Sequence, residues 1–83
     1  MKTKEELVAY LVKNLGLTYD FEQNPSIVTD KNFASNLAPF ELALAAVDLV
    51  EHIGRPDIRA HFSLLPDEPS IDDVAELVYK YQI

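Results

Sequence analysis

The strongest constraint on this chain is a helix whose two ends are both marked in the sequence. Thr3 and Glu6 form a capping-box pattern, in which each side chain can bond a backbone N–H at the start of a helix. Apolar residues then recur at the spacing of one helix face, at Leu7, Leu11, Val12 and Leu15. Gly16 follows, where many helices end in a left-handed residue. The N-terminal segment is therefore predicted to be an amphipathic helix, and the fold must bury its apolar stripe.

A second helix is predicted from about Pro39 to His52, because proline suits a first helical turn and Gly54 and Pro56 stop the pattern. One apolar stripe on this helix consists of Leu42, Ala46, Leu49, Val50 and Ile53. A neighbouring stripe consists of Phe40, Leu44 and Val47. Together they cover more of the circumference than one core-facing side requires.

The remaining segments complete an all-α pattern. Residues 56–62 are predicted to form a short third helix, and Ser70 with Asp73 repeats the capping-box pattern before a last helix. Residues 18–34 show no helical period and are predicted to be a long loop, held by Phe21, Ile27, Val28 and Phe33. The prediction is one all-α domain over residues 1–83, a four-helix bundle with a long loop between helices 1 and 2 and a short third helix.

Composition excludes several classes of function. The formal charge of −7 on 83 residues disfavours binding to nucleic-acid phosphates and to anionic membrane surfaces. The chain has no cysteine, so disulfides, thiolate chemistry and cysteine-based zinc sites are excluded. The N-terminus is charged and has no signal-peptide pattern. No apolar run approaches the ~20 residues that span a bilayer. We therefore expect a cytoplasmic protein.

The layout resembles the acyl carrier proteins of fatty-acid and polyketide synthesis over nearly the whole chain. That family carries Asp-Ser-Leu, then two or three residues, then Glu-Leu, at the start of its second helix. The corresponding residues here are Ser35-Asn36-Leu37 and Glu41-Leu42. The segment 71–77 is similar to the family's last helix. The resemblance implies a four-helix carrier-like bundle.

The departure from the family falls on the residue that carries its activity. A carrier attaches 4′-phosphopantetheine through a phosphodiester to a serine hydroxyl, and Asn36 occupies that position with an amide that cannot form the bond. No cofactor is therefore expected. Ser35, one residue upstream, is the alternative attachment site, and phosphopantetheine is expected only if Ser35 is modified. A further alternative is that Asn36 was introduced by engineering to block modification.

The resemblance also implies a docking surface. In carriers, acidic residues of the second helix meet basic patches of partner enzymes, and Glu41, Asp48 and Glu51 can play that part here. The second stripe of this helix adds an apolar strip if it stays exposed; the alternative is that the long loop covers it. The predicted partner-binding residues are Leu37, Phe40, Glu41, Leu44, Val47, Asp48 and Glu51.

Other chemistry-bearing patterns are weak. Asp30, Asn32 and Glu41 match three positions of a calcium-loop template, but Ser35 replaces its glycine, so the match is interpreted as coincidence. Asp48 precedes His52 by four residues, which predicts a surface ion pair and not a catalytic dyad. No metal site and no combination of nucleophile, base and oxyanion donor is expected, so the protein is not predicted to be an enzyme.

The leading hypothesis is a protein-docking or regulatory subunit on a synthase, ligase or acyltransferase of a biosynthetic pathway. The alternatives are a working acyl or aminoacyl carrier loaded at Ser35, and a likeness to carriers that is architectural only.

Overall fold

The computed structural model describes residues 1–35, 37 and 40–83, and within these ranges all regular structure is helical. The α-helices are α1 (Lys4–Asn14), α2 (Thr18–Gln23), α3 (Lys31–Ser35), α4 (Glu41–His52) and α5 (Ile71–Tyr81). Two 3₁₀ helices, Pro25–Val28 and Pro56–Leu64, precede α3 and α5 respectively. The prediction of an all-α chain is confirmed.

Helix α1 begins and ends as its sequence predicts. Thr3 Oγ1 accepts from the Glu6 backbone N–H at 3.2 Å, and Glu6 Oε1 accepts from the Thr3 backbone N–H at 3.1 Å. At the other end Gly16 has φ +72°, and the Leu17 N–H returns to the Val12 carbonyl at 2.9 Å. This return bond is the Schellman arrangement, which satisfies a carbonyl that the helix itself leaves open.

The capping box predicts a pH dependence of stability. The hydrogen bond from the Thr3 backbone holds the pKa of Glu6 below its ordinary value of 4.5. A carboxyl with a lower pKa in the folded chain stabilises the fold above the unfolded pKa, and this contribution disappears as pH falls through the folded pKa. We expect the wild type to lose stability relative to Glu6→Gln as the pH falls below 4.5, since glutamine keeps the acceptor but does not titrate. Urea unfolding at a series of pH values measures this; parallel profiles for the two proteins would contradict it.

The prediction of a long loop over residues 18–34 is wrong. This interval contains α2, the first 3₁₀ helix and most of α3. Each of these elements is too short to display a helical hydrophobic period, which is why the sequence pattern hid them. The predicted anchors are confirmed: Ile27 and Val28 are buried in the core, while Phe21 and Phe33 pack against it partly buried.

The rest of the predicted layout needs smaller changes. Helix α4 ends at His52 as predicted, and Gly54 follows at φ +74° with the same return bond that closes α1. Its predicted start at Pro39 lies outside the described residues, and the described helix begins at Glu41. The short third helix is a 3₁₀ helix that extends to Leu64. The capping box of Ser70 and Asp73 opens α5 as predicted.

The core lies where α1 packs against both α4 and α5. Each of these helices contributes one buried face, and the second 3₁₀ helix contributes Ile58, which is fully buried. At the edge of the α1–α5 contact, the Lys4 ammonium lies 2.8 Å from a Glu76 oxygen and 3.1 Å from an Asp72 oxygen. Hydrogen bonds to Glu76 and then Asp72 raise the pKa of Lys4 above its ordinary value of 10.5, because they stabilise the charged ammonium.

The two ends of the described chain are joined through the buried side chain of Gln82. Its Oε1 accepts from the Lys2 backbone N–H at 3.2 Å, and its Nε2 donates to the Lys2 carbonyl at 2.6 Å. Arg55 donates to the Gln82 carbonyl at 2.6 Å and also binds the Asp57 carboxylate at 2.9 Å. The turn after α4 is thereby tied to the end of α5.

Candidate docking surface

Helix α4 has one face in the core and one in solvent. Its inward side chains Ala45, Ala46, Leu49 and Val50 are buried, which fixes the helix against α1 and α5. Phe40 and Leu44 point the other way and are 73% and 66% exposed. Val47, one turn beyond Leu44, is half-buried. We call Phe40, Leu44 and Val47 the apolar strip.

The sequence left open whether the segment after α1 covers the apolar strip. The exposures of that segment's apolar residues and of the strip show that it does not cover Phe40 and Leu44. Ile27 and Val28 lie in the core at 6% and 8% exposure, so they are not available to cover α4 from outside. Phe40 and Leu44 remain among the most exposed large apolar side chains of the described chain. The buried apolar face of α4 already anchors the helix in the core, so folding does not require a second apolar face. The strip is therefore a candidate interaction surface.

A recess of about 440 Å³ lies beside the strip, where the end of α1 meets α4. Leu15, half-buried at the end of α1, forms part of its apolar wall with Leu44, Ala45 and Val47. Glu41, Asp48 and Asn14 are the polar lining residues. The recess therefore joins an apolar wall to two carboxylates.

Asp48 is held at the rim by a hydrogen bond between helices. Asn14 Nδ2, at the end of α1, donates to Asp48 Oδ2 at 3.0 Å. The predicted ion pair between Asp48 and His52 is replaced by this contact, and the His52 ring stacks on Tyr10 at 4.4 Å between centroids. The other histidine, His61, stacks on Tyr81 at 4.0 Å. Both imidazoles are thus in ring contacts, and neither lines the recess beside the strip.

The predicted partner-binding residues divide between two surfaces. Phe40, Leu44 and Val47 lie together with the exposed acids Glu41, Asp48 and Glu51 on the outward side of α4. Leu37 does not line this recess; it is half-buried and lines a different groove. Asn36, the family attachment position, lies outside the described residues, and Ser35 is the last residue of α3.

The groove that includes Leu37 was not predicted from the sequence. It has a volume of about 740 Å³ and lies between α4, the end of the second 3₁₀ helix and the connector before α5. Its walls include Leu42, Ala46, Phe62 and Leu65, with Lys31, Asp67 and Glu68 as charged lining residues. The local sequence indicates only that this connector is not helical, because Pro66 and Pro69 keep it out of helical structure.

Two of the calcium-template residues, Asp30 and Asn32, are joined in local structure. Asp30 Oδ1 accepts from the Asn32 backbone N–H at 2.9 Å, which places Asp30 as a cap at the start of α3. Within the residues that the structure describes, no group of three or more His, Asp or Glu side chains is arranged to hold a metal ion. In the same ranges, no helix combines the length and the apolarity needed to cross a bilayer.

Comparison with protein families, with curated proteins and with solved structures finds no match to this chain. The likeness to acyl carrier proteins therefore rests on the residues of the sequence itself.

Proposed function

We propose that this chain is an acyl-carrier-protein-like domain that has lost its prosthetic-group serine and works by binding another protein. It would act as a docking or regulatory subunit on a synthase, ligase or acyltransferase of a fatty-acid or polyketide type of biosynthesis. In this proposal the chain is not itself an enzyme, and it binds no cofactor of its own.

The observation that carries the proposal is the exposure of the apolar strip. Phe40 and Leu44 are 73% and 66% exposed on a helix whose opposite face is fully buried. Exposed apolar side chains grouped on one rigid helix, with acids beside them, are typical of a protein-binding surface. In the sequence, the same helix follows the carrier-like motif in which Asn36 replaces serine.

The test is intact mass after incubation with coenzyme A and a broad-specificity phosphopantetheinyl transferase. We expect no mass gain for the wild type, because the Asn36 amide offers no hydroxyl. We expect gain of one phosphopantetheine unit by Asn36→Ser, because that change restores the family motif. An authentic carrier in the same tube shows that the transferase is active.

Each other outcome has a definite meaning. Modification of the wild type that disappears in Ser35→Ala would replace the proposal with a working carrier loaded at Ser35. No modification of Asn36→Ser, beside a modified authentic carrier, would contradict the carrier-like frame.

A further inference from the structure

Two neighbouring recesses lie on the surface where α1 meets the end of α4. One has a volume of about 290 Å³ and lies between the two helices, and the other, of about 510 Å³, continues past the end of α4. Both are lined by Lys2, Glu6, His52 and Ile53, so they form one continuous depression. We call this depression the cationic crevice, after its basic lining residues Lys2, Lys13 and Arg55.

The charge of the cationic crevice is opposite in sign to that of the whole chain. Its three cations are accompanied by two carboxylates, Glu6 in the lining and Asp57 bound to Arg55 at 2.9 Å. Three cations and two carboxylates give this region a formal charge of +1, whereas the chain carries −7. The crevice is therefore a place where an acidic ligand can approach an acidic protein.

Helix electrostatics explain one of the two lysines and not the other. Lys13 lies in the last turn of α1, where the helix dipole favours a cation, and it forms no ion pair within the part of the chain that the structure describes. Lys2 lies just before the first turn, where the dipole disfavours a cation. Its ammonium lies 3.8 Å from a Glu6 oxygen, and an exposed pair at this distance contributes little to stability. Folding therefore gives no reason for a cation at residue 2.

The floor between the two lysines is apolar and aromatic. Leu7 and Leu49 line it at only 1% exposure each. The Tyr10 ring of α1 stacks on the His52 ring of α4, with 4.4 Å between centroids and 21° between ring planes. Stacked rings from two helices give a fixed surface against which another apolar or aromatic side chain can pack. The floor therefore favours a ligand that is apolar between its charges.

Hydrogen bonds at the end of the chain hold one side of the crevice in place. The Gln82 side chain binds the backbone N–H and carbonyl of Lys2, and the Arg55 guanidinium donates to the Gln82 carbonyl at 2.6 Å. A ligand therefore meets a backbone that is already ordered, which reduces the entropy cost of binding.

The length of the crevice indicates the conformation of its ligand. Lys2 and Lys13 are separated by eleven positions, about 16 Å at the 1.5 Å rise of a helix. An extended peptide covers this distance in about five residues at about 3.3 Å each. A helix of the same length and about 10 Å across fills about 1,200 Å³, far more than the 290 Å³ recess between the lysines. The crevice therefore suits an extended segment.

The same features disfavour three other occupants. Three cations on a chain of charge −7 are too few to hold a nucleic-acid backbone. Two copies meeting symmetrically through this crevice would bring lysines against lysines. The apolar floor is recessed at Leu7 and Leu49, so it cannot enter the acyl region of a bilayer.

We propose that the cationic crevice binds an extended acidic segment of a partner protein, whose carboxylates, about five residues apart, pair with Lys2 and Lys13. An apolar or aromatic side chain between these carboxylates packs against Tyr10 and His52. The crevice is separate from the apolar strip, so this inference goes beyond the proposed function and does not depend on it.

The experiment is a selection of short linear peptides from a displayed random library, with the whole chain as the target. We expect enriched peptides to carry two acidic residues four or five positions apart, with a large apolar or aromatic residue between them. A labelled peptide of the enriched sequence is then titrated by fluorescence anisotropy. Lys13→Glu should weaken its binding about tenfold or more, since the change removes an attraction and adds a repulsion.

The matched control is Arg59→Glu. Arg59 is exposed on the second 3₁₀ helix and lines neither recess. The two variants change the charge of the chain equally, so any general repulsion of an acidic peptide is the same in both. Arg59→Glu should therefore change the affinity less than about twofold, because a distant exposed charge is screened by salt. Circular dichroism of both variants shows that the helices are retained.

Several results would overturn the inference. These are enriched peptides without paired acids, equal effects of Lys13→Glu and Arg59→Glu, or no binder from the library. Sedimentation that shows self-association abolished by Lys13→Glu would assign the crevice to an acidic face of a second copy. Cosedimentation with phosphatidylserine vesicles, lost in the same variant, would assign it to a membrane. Modification of the wild type at Ser35 would defeat the proposed function without changing any of these readouts, so the two failures are distinguishable.

Discussion

Replacement of Leu11 by alanine is expected to lower the free energy of unfolding by about 2–5 kcal/mol. Leu11 is fully buried at 0% exposure, in the helix that packs against both α4 and α5. The truncation removes apolar contacts and leaves a cavity that the surrounding helices cannot close completely. A domain of 83 residues has a total stability of about 4–12 kcal/mol, so this single change removes a large part of it.

Urea unfolding followed by circular dichroism measures the loss. The matched control is Leu44→Ala, which deletes the same atoms from a side chain that is 66% exposed. We expect the control to change stability by no more than about 0.5 kcal/mol. A similar loss in the two variants would mean that α4 faces the core with a different side from the one described.

Replacement of Gln82 by alanine is expected to cost about 1–3 kcal/mol, because two hydrogen bonds worth about 0.5–1.5 kcal/mol each are lost. The Gln82 side chain is only 7% exposed and pairs with both the N–H and the carbonyl of Lys2. Its removal also frees the N-terminal segment that leads into the capping box of α1. Urea unfolding again measures the change.

Two further variants identify the cause of that loss. Lys2→Ala should be nearly neutral, because Gln82 binds the backbone of residue 2 and not its side chain. Gln82→Glu should be at least as harmful as alanine at neutral pH, because a carboxylate oxygen then faces the Lys2 carbonyl. Its stability should recover as the pH falls and the new carboxyl becomes a donor. A neutral effect of Gln82→Ala would show that its two side-chain hydrogen bonds to Lys2 contribute nothing to the stability of the fold.

The candidate site was only partly predictable. The second stripe of α4 was visible in the sequence because Phe40, Leu44 and Val47 recur at helical spacing. Whether it was buried depended on where Ile27 and Val28 pack, and two apolar residues in an irregular segment have no periodicity that gives their direction. The Asn14–Asp48 hydrogen bond joins residues 34 positions apart, so no local pattern could indicate it.

The groove near Leu37 was hidden from the sequence for a related reason. It is bounded by three consecutive elements of the chain, α4, the second 3₁₀ helix and the connector before α5, and its volume of about 740 Å³ depends on how closely they pack. A cavity is the space that packing leaves, and residue types alone do not give its size.

By itself, the sequence determined the all-helical class, both ends of α1, the end of α4, the start of α5, and the inward face of α4. Capping boxes, left-handed glycines and stripes at intervals of three and four act within a single helix, so they can be recognised one segment at a time. Only the tertiary structure decided that residues 18–34 contain short helices and that the apolar strip faces solvent. Helices of four to six residues are not stable alone, and they form here because Ile27 and Val28 are buried in the common hydrophobic core. That burial also leaves Phe40 and Leu44 uncovered, since the side chains that would have covered them are used in the core.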